Sequence, residues 1–479
     1  MNINEMSRAY PALSFEQLEA CEEKLTGLLE KNKTLKMVVL DDDPTGTQTV
    51  HDVMVYTDWQ RETLEKAFSR PGRSFYILTN SRSFSCGKTA EVHKEIAENL
   101  CAAASAAGAE FMLVSRGDST LRGHYPLETE TLRATIEKQT GTVFDGEIIC
   151  PYFREGGRFT FEDIHYVLIG EELIPAAETE FAADKSFGYK SSHLGKWVEE
   201  KTAGEFRARE LIYISLEEIR SSSSDSILKK LMSARGFNKI IINAVCDEDL
   251  KAVMPLIYQA VSEGKHFLFR TAASFVKIAA QISDRPLIRL RDFAGTEGRL
   301  RGIIVAGSHT RVTTAQLERL AELPGIKKIE FNQHLVLNGP DALRAEIAHA
   351  AALCSDALSQ GFSICLQTRR ERVDAESGSS EDELRLAVTI SDAVVAVVKS
   401  ITVRPDFVLA KGGITSSEIA TKALGIKEAV VLGQAEAGVP VWKCGQESRF
   451  PGMPYVIFPG NVGNANSLIN IFREDNQNA

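Results

Sequence analysis

Short β-branched runs that break off at Gly, Asp or Ser and give way to a helical pattern recur along this chain, and that alternation leaves few architectures open. KMVVLDDD at 36–43 is followed by FYILTNS at 75–81, a helix-forming stretch from Lys88 to Ala107, FMLVSRGDS at 111–119, a helix from Pro126, and EIICPYF at 147–153. Strands interleaved with helices of this length imply βαβ units and a mainly parallel sheet. In such sheets ligands lie outside the carboxyl ends of the strands. The polar clusters 41–48, 79–83 and 115–123 fall there, so three loops are expected to converge on one crevice.

The segment 283–301 is rich in Arg and turn residues, lacks sustained periodicity, and reads as an interdomain connection and hinge. Beyond it the alternation resumes with GIIVAG at 302–307, a helix from Thr313, KKIEF at 327–331 and a helix over 340–359. FSICLQT at 362–368, a solvated loop at 374–382, a helix reaching Val398, DFVLAKGG at 406–413, a helix near Ser416 and YVIFPGNVG at 455–463 complete the pattern. The expectation is an α/β protein of two domains, 1–285 and 300–479, each with a mainly parallel sheet flanked by helices. Residues 150–285 complete or decorate the first.

A chain of 479 residues is long enough for two or three domains with cores of their own. Its 55 Lys and Arg against 65 Asp and Glu give a net charge of −10, which argues against nucleic-acid coating. Any anion site must then be built locally. The eight cysteines are scattered without zinc-type spacing and read as reduced, mostly buried residues. The N-terminal stretch has no export pattern and the longest apolar run, 101–114, is short of a membrane span, so a cytoplasmic protein without a membrane partner is expected. Trp59, Trp197 and Trp442 read as core or interface residues rather than ligand stackers.

Chemistry-bearing residues concentrate in the strand-end loops. Asp41, Asp42 and Asp43 stand together before Pro44, Thr45 and Gly46. Three adjacent carboxylates repel, so the loop calls for a cation or a polar ligand; the plainer reading is an Asp-rich capping turn. SRGDSTLRGH supplies Arg116, Asp118, Ser119, Thr120, Arg122, Gly123 and His124, and Arg82 lies at a third strand end. Guanidinium groups grip carboxylates, and an adjacent carboxylate can accept a hydroxyl proton; His124 could be a base, though a lone His beside an Arg is more often a hydrogen-bonding spacer. CGKT at 86–89 lacks the upstream glycine of a phosphate loop, and no GxGxxG follows a strand, which disfavours an NAD-dependent dehydrogenase. The C-terminal half offers small-residue turns at 306–313, 411–418 and 459–467, where backbone amides can approach phosphate.

DDPTG (42–46), DSTLRG (118–123), GS (307–308), GGIT (412–415) and the glycines 460 and 463, in that order, resemble the four-carbon acid sugar kinase family. The likeness spans residues 36 to 470, and DSTLRG is its most specific element. The resemblance implies an N-terminal domain holding the sugar acid and a C-terminal domain holding ATP, with Mg²⁺. The reaction it implies is phosphorylation of the terminal hydroxyl of a tetronate or 3-oxo-tetronate. Sugar-acid contacts would fall on Asp42, Asp43, Thr45, Arg82, Asp118, Ser119, Arg122 and Gly123, with Arg82 and Arg122 on the carboxylate. Asp118 or Asp43 would orient and deprotonate the hydroxyl. Nucleotide contacts would fall on Ser308, Gly412, Gly413, Ile414, Thr415 and Gly460 or Gly463. Arg116 stands where many members carry Lys. A competing reading is a sensor that binds both ligands without turnover; metal ligands and self-association are left open.

Overall fold

The computed structural model describes residues 3–221, 224–294, 300–307, 310–371, 373–374, 380–460 and 462–472. The chain divides into two compact units, one of residues 1–49 and 58–284, the other of residues 50–57 and 285–479.

The first unit is built on strands β1 (Leu35–Asp41), β3 (Ser74–Leu78), β4 (Glu110–Arg116), β5 (Gly146–Cys150), β9 (Ile212–Ile214), β10 (Asn238–Ile242) and β11 (Phe267–Thr271). β2 (Met54–Tyr56) belongs to the second unit. The seven strands lie in the order β3-β1-β4-β11-β5-β10-β9, and each neighbouring pair is parallel. Their near-continuous apolar sequences match this burial, because helices cover both faces of a parallel sheet. The helix Cys86–Ala107 starts on Ser85, whose side chain accepts the Lys88 amide, and stops at Gly108 with φ +61°. Residues 150–285 extend this sheet. They also add a small antiparallel one of β6 (Arg158–Phe161), β7 (Ile164–Ile169) and β8 (Glu172–Pro175), which periodicity alone did not reveal.

The second unit carries β12 (Gly302–Ala306), β13 (Ile326–Phe331), β14 (Ser363–Thr368), β15 (Phe407–Lys411), β16 (Glu428–Glu436), β17 (Val439–Cys444) and β18 (Pro454–Phe458). β13-β14-β12-β15-β18 run parallel; β17, β16 and β2 extend the sheet antiparallel. The fold is α/β with mainly parallel sheets, as the alternation predicts.

The last passage from the first unit to the second falls inside 283–301, between residues 284 and 285, but one correction applies just beyond it, where Arg285, Ile288 and Leu290 are packed rather than extended as a linker. Arg285 pairs with Asp52 and donates to the Leu432 carbonyl at 2.9 Å, and the Ile288 amide reaches Gln434 O at 2.8 Å. Leu290 is buried in the core that holds Phe407 and Val441. These residues are therefore part of the second unit. The cysteines need a second correction: Cys150, Cys354, Cys365 and Cys444 are buried, Cys86 is exposed, and the other three are half-buried. Trp197 and Trp442 are core residues at 1% exposure. Among the described residues no helix is long and apolar enough to cross a membrane.

Candidate functional site

The carboxyl ends of β1, β3 and β4 bring the polar loops of the first unit together because those strands are neighbours in register, Asp41 beside both Leu78 and Arg116. The triple carboxylate is resolved by arginines. Arg82 grips Asp42 through two bonds, Nη2 to Oδ1 at 2.6 Å and Nε to Oδ2 at 3.2 Å. Arg116 Nη1 lies 3.2 Å from Asp41 Oδ1 and 3.4 Å from Asp42 Oδ1. Asp41, Asp42 and Arg116 are buried and form the rear layer. Burial drives the Asp41 carboxyl up to about 7, outweighing the pull of Arg116. Asp43 accepts the Thr45 amide at 2.8 Å, so the capping reading holds for this one carboxylate. A Cβ on Gly46 would stand 1.9 Å from Asp41 Oδ2, so any larger residue there must displace the Asp41 carboxylate.

The front layer is half-exposed. Arg122 Nε donates to Asp118 Oδ2 at 2.6 Å, with side-chain exposures of 23% and 12%. The Thr120 hydroxyl donates to the same oxygen. Burial works against the Asp118 anion, but Arg82, Arg122 and these hydrogen bonds prevail and hold it well below the usual carboxylate range. The Arg82 guanidinium likewise stays charged, because Asp42, Asp118 and Asp43 outweigh its burial.

The DSTLRG loop is held from behind. His165, whose pKa burial lowers to about 4, presents Nε2 to the Ser119 carbonyl at 2.7 Å and Nδ1 to the Thr160 hydroxyl at 2.9 Å. A neutral ring with one N–H fits both, donating at Nε2 and accepting at Nδ1. Tyr189 donates to the Thr120 carbonyl at 2.8 Å. Buried Arg270 bonds Glu128 at 2.8 Å and Ser115 at 3.0 Å, with its guanidinium against Gly117, where a Cβ would come within 2.3 Å. Gly123 sits between Arg270 and Asp42 at φ +121°. His124 bonds the Phe84 carbonyl at 3.0 Å, the spacer role expected of it.

Thus Asp42, Asp43, Thr45, Arg82, Asp118, Ser119, Arg122 and Gly123 all lie in this loop cluster. Sequence reasoning missed Arg158. It is the first residue of β6, its guanidinium lies 5.6 Å from the Phe181 ring centre, and Arg122 lies 5.0 Å from the same ring. Its Nε is buried without a hydrogen-bond partner, and no carboxylate pairs with it among the described residues. Burial weakens its charged form while Asp118 favours it. The missed signals were arginines inside strand sequences, RFTF for Arg158 and FLFRT for Arg270.

In the second unit the three small-residue turns follow β12, β15 and β18, which are neighbours. Their contacts are direct. A Cβ on Gly307 would come 2.9 Å from Thr415 Oγ1, and the Thr310 hydroxyl lies 3.3 Å from the Gly460 carbonyl. Gly412 takes φ +112°, which only glycine adopts readily, and its amide reaches Phe458 O at 2.8 Å. Gly463 takes φ +80° against Ser467. Gly413 and Thr415 are half-buried and Ile414 is exposed. Ser308 lies outside the described residues. Among those residues, no group of three or more His, Cys, Asp or Glu is placed to hold a metal ion.

The geometry defines a class: a two-unit α/β protein with a cluster of arginines and carboxylates at the strand ends of one unit and small-residue turns at those of the other. Comparison makes the family explicit. A sugar-binding N-terminal domain model matches residues 37–279 and a nucleotide-binding C-terminal domain model matches residues 303–468. The chain belongs to the family that joins these two domains, the four-carbon acid sugar kinase architecture. A Salmonella typhimurium LT2 protein, provisionally named a tRNA synthase, is similar in structure with TM-score 0.65 at 14% identity, covering 92% of this chain and 99% of that one. The Haemophilus influenzae protein HI1011, of the DUF1537 family, gives TM-score 0.59 at 15% identity over 91% and 98%. At such identities these likenesses establish the fold. No curated protein matches the chain.

Proposed function

We propose that the chain is an ATP-dependent kinase that phosphorylates the terminal hydroxyl of a four-carbon sugar acid of the threonate, erythronate or 3-oxo-tetronate type. The observation that carries this reading is the front layer of the first unit, where a carboxylate held ionised, Asp118, stands with a guanidinium free of any described acid, Arg158. A sugar acid needs both: a cation for its carboxylate and an acceptor for a hydroxyl proton.

Arg82 and Arg122 already carry acidic partners, so Arg158 takes the substrate carboxylate and Arg122 supports it. Asp118 accepts the hydrogen bond of the attacking hydroxyl and aims its lone pair. A carboxylate with so low a pKa is a weak base. Phosphoryl transfer tolerates that, because its loose transition state asks the protein chiefly for positioning and charge stabilisation. Asp43 and Thr45 contact the remaining hydroxyls. ATP belongs to the second unit, on the turns carrying Ser308, Gly412, Gly413, Ile414, Thr415 and Gly460 or Gly463. Mg²⁺ would arrive with the ATP phosphates, as it commonly does.

The test is an ADP-release screen of the full chain over stereoisomeric tetronates, 3-oxo-tetronates and their lactones. Release with one of these supports the kinase. Binding of both ligands without ADP release would establish a sensor in its place.

A further inference from the structure

Lys411 closes β15, a strand that is otherwise apolar (FVLAK), and its side chain is wholly buried. Its Nζ donates to the Pro459 carbonyl at 3.1 Å and lies 4.0 Å from the Phe458 ring centre. Among the described residues no carboxylate pairs with it. Most other buried cations of this chain are matched by carboxylates; Lys36, at the start of β1, is bonded to the Arg70 carbonyl. Lys239 sits 2.6 Å from Glu147, Arg220 2.7 Å from Asp249, and Arg270 2.8 Å from Glu128. An ammonium has three N–H donors and one charge, and a single carbonyl with a ring face leaves both under-met. Burial alone drives its pKa down to about 7.

The position of this cation is informative. Lys411 is flanked by Ala306 of β12 and Phe458 of β18, the last or near-last residues of strands whose following turns are the small-residue ones. Its Nζ anchors the third of those turns through Pro459, and its own successor is Gly412. A buried cation without a counter-ion, placed where three turns meet, is matched by an anion that comes from outside the chain. Resting on the reading that this unit binds a nucleotide, we propose that Lys411 receives the phosphate chain of a nucleoside di- or triphosphate, supplying the counter-charge that the acidic surface does not.

Binding then charges the lysine, so the protein takes up a proton from solvent as the phosphate arrives. The flanking Ala306, Phe458 and Pro459 carry no titratable group, and the helix Gly413–Glu418 carries Glu418, which is committed to Lys422 at 3.0 Å. Lys411 is therefore the group on these elements whose protonation follows the ligand.

The experiment is calorimetric titration of the full chain with ADP and with adenosine at about pH 8, where ADP is already fully ionised, in two buffers of different ionisation enthalpy. The wild type is expected to take up a proton with ADP and none with adenosine. K411Q and K411M, checked by thermal melting, are expected to lose that uptake and bind ADP at least about tenfold more weakly, with adenosine affinity within about twofold. ADP binding by the wild type without proton uptake, or equal losses for ADP and adenosine in the variants, overturns the proposal. Failure of the wild type to bind either ligand overturns the nucleotide reading itself, and the proposal with it.

Discussion

Exchanging Asp118 for Asn keeps the shape of the side chain and one oxygen acceptor but removes the charge that Arg122 and the Thr120 hydroxyl meet at Oδ2. Two costs follow, and they can be measured separately. The pair is half-exposed, at 23% and 12%, so losing a charge-assisted hydrogen bond there costs about 1–3 kcal/mol of stability rather than the larger penalty of a sealed ion pair. Replacing the anionic acceptor proposed for the attacking hydroxyl by a neutral amide is expected to cost roughly 10²–10⁴ in kcat. ATP affinity should stay at the wild-type level, since the nucleotide-binding domain match falls in the other unit. The sign with pH is also fixed. The folded pKa lies below the unfolded one, so Asp118 contributes stability above about pH 4 that is lost as pH falls through the depressed value. Acid melts of D118N should thus converge on wild type at the acid end. The assay is steady-state ADP release with denaturation at matched pH. A variant retaining kcat within about tenfold of wild type would refute the orienting role and move it to Asp43.

Arg158→Gln should raise KM for the acid by ~10- to 100-fold with little change in KM for ATP, read in the same assay. Gly46→Ala forces a methyl onto the Asp41 carboxylate and breaks its contact with Arg116, at a cost of about 3–5 kcal/mol in chemical denaturation. Asp41, whose folded pKa is raised to about 7, makes the folded state bind more protons than the unfolded chain between about pH 4 and 7. Stability should therefore fall with rising pH across that window by up to about 1.4 kcal/mol per unit from this group, and Asp41→Asn should flatten the slope.

The strand-end loops were legible because burial and polarity change over within a few residues, as in MVVL to DDD and MLV to SRGDS. What each charge does there was not legible. Whether Arg116 binds ligand or Asp41 depends on which strands are neighbours, and the β4-β11-β5 order places Arg270 beside Ser115 across 155 residues. Arg158 and His165 escaped notice because the short strands of the small antiparallel sheet that carries them, four to six residues each, give no clear periodic signal. Met54–Tyr56 is too short to register as a strand, and its partner segment, Glu428–Val430, lies far along the chain.

That last strand has a practical corollary. Residues 50–57 belong with the second unit while both flanking stretches belong with the first, so the backbone passes between the units three times. Cutting the chain near residue 285 does not yield two whole domains. The C-terminal piece would lose β2 and expose the Glu428–Val430 edge of β16, an open template for strand addition. The N-terminal piece would keep residues 50–57 cut off from their antiparallel partner β16. Separate expression of the halves is expected to give an aggregating C-terminal fragment, rescued when a peptide spanning residues 50–57 is supplied.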